Sequence, residues 1–213
     1  SVGAEAFLGC THLINLTIKD NKTELTCGKD LFKNTSLRNA HIGRTLMGNG
    51  VFGGISTLTN VSLSNNVKTL TPLMFYMTGL KTIDIPNSVD KIDGDAFNKA
   101  NSLEKITVQN GNTKYASDGG ALYDKAKKTL ILLPHNSKIT DFRIPETVVT
   151  IKRQAITSGY IKSLVIPSRI QTIETDAILC TKIERIYINN AVPPTVNEHG
   201  FTAPQFVITN TKL

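Results

Sequence analysis

Ile83-Asp-Ile-Pro-Asn-Ser-Val-Asp-Lys-Ile92, running straight on through Asp93-Gly-Asp-Ala-Phe97 to Leu103-Glu-Lys-Ile-Thr-Val108, is the stretch whose reading decides the fold. It begins and ends on a pair of apolar residues separated by one position. That pair returns as Leu16/Ile18, Ala40/Ile42, Val61/Leu63, Ile83/Ile85, Ile106/Val108, Phe142/Ile144, Leu164/Ile166 and Ile186/Ile188. Leu63 to Ile85 is 22 positions, Ile85 to Val108 is 23, and Ile144, Ile166 and Ile188 follow at 22 each. A period of this length implies stacked coils, each unable to cover its own apolar face and dependent on its neighbours.

Other anchors keep fixed offsets from the pairs. Phe52, Phe75, Phe97, Ile156 and Ile178 precede the second pair member by 10 to 11 positions, and Leu58, Leu80 and Leu103 follow the phenylalanines by 5 or 6. Leu70, Ile92, Ile151 and Ile173 form a further inward column. Alternation in Leu80-Lys-Thr-Ile-Asp-Ile85 predicts a short half-buried strand. Pro86, Pro145 and Pro167 end such strands, because proline brings no ladder donor. Segments 88–92, 148–151 and 169–173 read as a second extended stretch. Asp93 to Phe97 and Glu174 to Ile178, with acidic residues placed as caps, predict one or two helical turns held by packing.

Residues 83–108 and Ser1-Val-Gly-Ala-Glu-Ala-Phe-Leu-Gly-Cys10 resemble the leucine-rich repeats of the bacterial surface-antigen type, called BspA-like. Tyr115 to Ile131 resembles the hairpin that often interrupts such arrays, and the likeness covers residues 2 to about 190. The expectation is an α/β repeat solenoid, a leucine-rich-repeat right-handed coil of about eight ~22-residue repeats with a parallel strand face. It is expected as one domain over 1–213: repeats at about 2–109 and 137–190, a projecting β-hairpin inserted at about 112–134, and a degenerate C-terminal coil at 191–213. The resemblance further implies a secreted or surface-attached bacterial protein that works by adhesion and partner binding.

Composition narrows the function classes. No run of 18 apolar residues exists, so no membrane-spanning segment is expected. None of the three methionines, Met47, Met74 and Met77, stands at the start, which suggests a processed or excised chain that has lost an N-terminal signal. The net charge of +7 invites a polyanion partner, yet the tight cluster Lys125, Lys127 and Lys128 falls on a turn and no aromatic residues alternate with it, so no nucleic acid is expected. Cys10 and Cys180 fall in nearly the slot held elsewhere by Ala100, which reads as small and buried, while a Cys10 to Cys27 link between adjacent turns is left open.

Chemistry is sparse. Cys10 with His12 lacks a third residue to orient the base, and Cys10-Thr-His12 lacks the further ligands a zinc needs, so no catalytic residue, metal or cofactor is assigned. Gly48-Asn-Gly50-Val-Phe-Gly-Gly54 has no Lys-Ser/Thr and is not a phosphate loop. A hydrolase on a solenoid would need several carboxylates on one face, whereas Asp84 is the single one among the outward residues Thr17, His41, Ser62, Asp84, Thr107, Arg143, Val165 and Tyr187. Stacked strands bring that row together, and arginine and tyrosine favour interaction hot spots. His41, Asp84, Arg143, Arg185 and Tyr187 are therefore the partner-binding candidates, for a protein or glycan ligand, host-derived ones included; the competing expectation is a spacer within a longer surface protein.

Overall fold

The computed structural model describes residues 1–188, 195–196 and 208–209, and the chain divides into two compact units, Ser1–Lys114 and Tyr115–Leu213. Both consist of β-solenoid coils, about eight turns in all. The first holds β1 (Asn15–Ile18), β2 (Leu25–Thr26), β3 (Asn39–Ile42), β4 (Leu46–Met47), β5 (Asn60–Leu63), β6 (Thr69–Leu70), β7 (Thr82–Ile85), β8 (Lys91–Ile92) and β9 (Lys105–Val108). Strands β1, β3 and β5 pair in parallel with Leu16, Ala40 and Val61 in one register line and Ile18, Ile42 and Leu63 in the next. Strand β7 pairs β9 the same way, Ile83 on Ile106 and Ile85 on Val108. The repeat offsets of the sequence are thus the cross-strand registers, as a period-2 apolar pair demands when one face is dry. The sheet is interrupted, however: β5 and β7 are not hydrogen-bonded to each other.

A second column is aromatic. Phe7, Phe32, Phe52, Phe75 and Phe97 stack face to face, with successive ring centroids 5.3, 5.5, 6.1 and 5.6 Å apart. The separations exceed the ~4.8 Å rung spacing, as offset stacking requires.

The corners that carry these rings are not helical, and among the described residues there is no helix; the α/β expectation is overturned in favour of an all-β coil. The reason lies in where the corner amides go. Glu5, Phe7 and Gly9 donate to the carbonyls of Lys29, Leu31 and Lys33, and Gly50, Phe52 and Gly54 to those of Pro72, Met74 and Tyr76, one coil onward. A helix would send those amides four residues back along its own chain. Left-handed backbone on either side of the ring, at Asp30 and Asn34 (φ 54° and 58°), Gly50 and Gly54 (62° and 80°) and Leu73 and Met77 (55° and 52°), breaks the helical path. Such a conformation costs a non-glycine residue about 1–2 kcal/mol. Met77 is 48% exposed and gives up little by truncation, so Met77→Gly is expected to raise stability by about 0.5–1 kcal/mol in urea titration. A loss of stability would show that the Met77 side chain packs productively.

The second unit holds β10 (Tyr115–Asp118), β11 (Ala121–Asp124), β12 (Thr129–Leu132), β13 (Asp141–Arg143), β14 (Thr150–Ile151), β15 (Ser163–Ile166), β16 (Thr172–Ile173), β17 (Arg185–Ile188), β18 (Thr195–Val196) and β19 (Ile208–Thr209). Strands β13, β15, β17 and β19 form one parallel sheet. In the other, β10, β11 and β12 run antiparallel and β12 continues in parallel into β14, β16 and β18. The hairpin expected to project at 112–134 is therefore corrected: its strands are built into the sheet. Ala121, Leu122 and Tyr123 are all buried, and a strand covered on both faces cannot stand out in solvent. Tyr123 and Leu130 join Phe142, Ile151, Leu164, Ile173 and Ile186 in one core. Burial, and then the charge of Asp118, push the Tyr123 phenol up from its ordinary value. Leu133, Ile156 and Ile178 bridge in parallel at this unit's corners.

Neighbouring coils are also tied by charge. Lys152 Nζ reaches Glu174 Oε1 at 2.7 Å, and the Arg153 amide donates to Glu174 Oε2 at 2.9 Å. Partial burial pushes this carboxyl up, but the lysine and the amide outweigh it and hold Glu174 below its ordinary value. Cys180 is buried as expected, with its thiol pushed up to about 12 by desolvation and donating to the Ile156 carbonyl at 3.5 Å. Cys10 is exposed instead, and neither Cys10 nor Cys27 is bridged. The degenerate coil expected at 191–213 lies outside the described residues, apart from β18 and β19.

Candidate functional site

Each outward side chain on a strand is set by the inward pair that brackets it, and in the second unit three strands arrange six of them as a grid. Register aligns Asp141, Ser163 and Arg185 in one line and Arg143, Val165 and Tyr187 in the next. The middle strand contributes the two smallest, so Ser163 and Val165 make a floor while the side chains of β13 and β17 rise as walls. These six line a depression of about 250 Å³. Although they point outward, Ser163 and Val165 are each 7% exposed, because the walls cover them. Arg143 and Arg185 are exposed and Tyr187 is half-buried. Among the described residues, neither arginine is ion-paired. The nearest carboxylate in the grid, Asp141, accepts a hydrogen bond at Oδ2 from the Thr140 hydroxyl at 3.0 Å.

The first unit's strand face is satisfied from within. Asn39 Nδ2 donates to Asn15 Oδ1 at 2.7 Å and Asn60 Nδ2 to Asn39 Oδ1 at 2.8 Å, which makes a polar ladder over three rungs. His41 contacts Ser62 Oγ through Nδ1 at 2.9 Å and Asp20 Oδ1 through Nε2 at 3.2 Å. Asp84 accepts from the Thr107 hydroxyl at 2.8 Å and from Gln109 Nε2 at 3.0 Å. Of the five residues singled out in the sequence, Arg143, Arg185 and Tyr187 surround one depression, whereas His41 lines a separate one of about 360 Å³ on the first unit's strand face and Asp84 stands on another sheet of that unit, both with their polar atoms hydrogen-bonded. Between Ser62 and Asp84 the backbone ladder stops, although the depression lined by β1, β3 and β5 extends to Thr82 of β7.

Sequence reasoning missed a groove on the corner side of the first unit. Lys29, Asp30, Asn49, Gly50, Gly53, Gly54, Leu73 and Tyr76 enclose about 540 Å³. The glycine-rich stretch read as punctuation supplies its floor. Only the structure separates the two roles: Asp30 and Leu73 adopt the same left-handed backbone as Gly50 with side chains in place, so glycine is not required there for the turn alone. Chemically, the groove offers a tyrosine ring, over which Lys99 Nζ sits 5.9 Å from the centroid, and an aspartate already paired with Lys33 at 3.5 Å. Among the described residues, no cluster of His, Cys, Asp and Glu could hold a metal ion, and no helix is long and apolar enough to cross a membrane.

Known proteins share this architecture. A family model described as the BspA type leucine rich repeat region matches in six copies over residues 1–104 and 135–204. A search of curated proteins returned no match. Among solved structures, the pneumococcal vaccine antigen PcpA superposes with a TM-score of 0.64 at 16% identity, covering 89% of this chain and 62% of that one. A leucine-rich repeat protein from Eubacterium ventriosum gives 0.62 at 20% identity, covering 89% and 58%. A leucine rich cell surface protein from Faecalibacterium prausnitzii gives 0.59 at 22%, covering 87% and 69%. At these identities the likeness is one of fold, and the chain spans about six-tenths of the length of the first two.

Proposed function

Because the chain belongs to the BspA-type leucine-rich repeat family, we propose that it is a non-catalytic binding module of a secreted or cell-surface protein, engaging a protein or glycan partner through a strand face. The observation that carries this reading is the depression on β13, β15 and β17: two arginines without ion-pair partners among the described residues and a tyrosine stand around a nearly dry floor. Arginine and tyrosine supply large, orientable contacts at low ordering cost, and a guanidinium held by no protein carboxylate keeps its donors free for a ligand. In this reading Arg143, Arg185 and Tyr187 make the contact. His41 and Asp84 serve the ladders of their own face. That the similar Faecalibacterium prausnitzii protein is a leucine rich cell surface protein supports the location.

A structural spacer is the second reading, and the first unit favours it, since a face whose asparagines, histidine and aspartate satisfy one another needs no partner. The two separate on an array of extracellular-matrix proteins and glycans. Binding predicts that the Arg143→Ala/Tyr187→Ala variant loses about tenfold or more in capture, with His41→Ala and Asp84→Ala near wild type. Equal capture by the double variant and the wild type would sink the binding reading and leave the spacer.

A further inference from the structure

Resting on the binding reading above, we infer that the depression of the second unit takes an acidic sugar, with one carboxylate or sulfate held between Arg143 and Arg185 and the ring lying over Val165 against Tyr187. Three features of the grid lead there. The first is charge placement. Arg143 and Arg185 occupy diagonal corners, on strands two rungs apart and in adjacent register lines. Rungs of ~4.8 Å and ~6.6 Å between alternate residues put their backbones about 12 Å apart, so both side chains can lean inward over the small floor and meet on one anion. A planar guanidinium binds a carboxylate or sulfate through paired hydrogen bonds and loses less hydration than an ammonium in doing so.

The second feature is shape. Peptides and sugars both carry carboxylates, but a depression of about 250 Å³ spanning three strands has room for roughly one ring. An extended peptide advances ~3.3 Å per residue and would cross it in two or three residues, with its backbone rather than an apolar ring face laid over the floor. A saccharide fills it with the unit that bears the charge. Val165 and Tyr187 are register neighbours in the lining and offer apolar surface to the C–H face of a pyranose, with Ser163 in the adjacent register line and the tyrosine hydroxyl as partners for its hydroxyls.

Third, Asp141 sets a limit. A carboxylate at one corner, within the same depression as both guanidiniums, repels a densely charged ligand while leaving a singly charged ring room to place its anion away from that corner. The site is therefore matched to sugars with one anionic group per repeat more than to heavily sulfated chains.

Calorimetric titration at 0.15 M salt with hyaluronate oligosaccharides, heparin-derived oligosaccharides and neutral dextran oligosaccharides tests this. The expected result is binding of hyaluronate over dextran, weakened about tenfold or more by Arg143→Gln and again by Arg185→Gln, with per-charge affinity for heparin lower than for hyaluronate and raised by Asp141→Asn. Because the chain carries a net charge of +7, general attraction to polyanions is controlled by Lys125→Gln/Lys128→Gln, which removes the same charge as the double arginine variant and is expected to change affinity less than twofold. Both arginines are exposed, so thermal melts of the variants should match the wild type. Equal losses from the lysine pair and the arginine pair would overturn the inference, as would hyaluronate binding no better than dextran. Should the Arg143→Ala/Tyr187→Ala variant lose capture of a matrix protein while no acidic sugar binds, the binding reading stands and the acidic-sugar inference falls.

Discussion

Phe52→Ala is expected to destabilise the protein by about 3–5 kcal/mol, seen as a lower midpoint in both thermal and urea unfolding. Phe52 is 0% exposed, its ring lies 5.5 Å from Phe32 and 6.1 Å from Phe75, and both planes are within 5° of its own. Truncation removes the transfer free energy of the side chain and leaves a void between two rings. Those rings cannot close it, because their coils are fixed at the rung spacing by amides donated from one to the next. A compact globule relaxes around a cavity from every side, whereas a coil is clamped by its two neighbours. Phe7 supplies the internal contrast: it stacks at 5.3 Å on Phe32 alone and is 40% exposed, so Phe7→Ala should cost about 1 kcal/mol. If the two substitutions cost the same, the column is not what holds the first unit's corners together.

What could be read in the sequence was whatever repeats at short range. The pairs Leu164/Ile166 and Ile186/Ile188 announce strands, and their spacing announces register, because an in-register stack needs the same side chain at the same place in every coil. The corners misled for a physical reason: Asp93-Gly-Asp-Ala-Phe97 has the acidic start and apolar close of a helical turn, and the Ala96 amide does close a single turn on the Asp93 carbonyl, but left-handed backbone at Lys99 (φ 52°) stops the path from continuing as a helix. For 112–134 the extra length was visible, but the burial of Tyr123 and Leu130 was not, since joining β12 to β14 is a pairing across 21 positions. Arg143 and Tyr187 were singled out by alternation together with residue type, and Arg185 by residue type. Their depression was not, because it depends on Ser163 and Val165 being small where the strands on either side carry long side chains, a comparison between coils that only register makes meaningful.

The second large effect is expected at a residue that no periodicity marks. Asn112 is 0% exposed and lies in the turn after β9. Its Nδ2 donates to the Pro86 carbonyl at 2.9 Å and the Val89 carbonyl at 2.8 Å, and its Oδ1 accepts the Lys114 amide at 2.9 Å. One amide side chain therefore pins the turn that follows β7 in the coil before it. Asn112→Leu preserves volume but strands the buried Val89 carbonyl, at about 1–3 kcal/mol, and takes the acceptor from the part-buried Lys114 amide, so a loss of about 2–3 kcal/mol is expected in urea titration at pH 7. The Pro86 carbonyl keeps the Val89 amide as a donor at 3.2 Å and adds less. Asn112→Asp should be worse at pH 7, since a buried carboxylate would face two carbonyl oxygens. Such a carboxyl holds its proton more tightly folded than unfolded, so its penalty is complete above the folded value and shrinks as pH falls toward the ordinary aspartate value of about 3.9, where a protonated side chain donates one of the lost bonds. Measured against wild type at each pH, the deficit of Asn112→Asp should therefore narrow between pH 7 and 4 while that of Asn112→Leu stays constant. An Asn112→Leu protein as stable as wild type would mean that water reaches these groups and that the clamp contributes nothing.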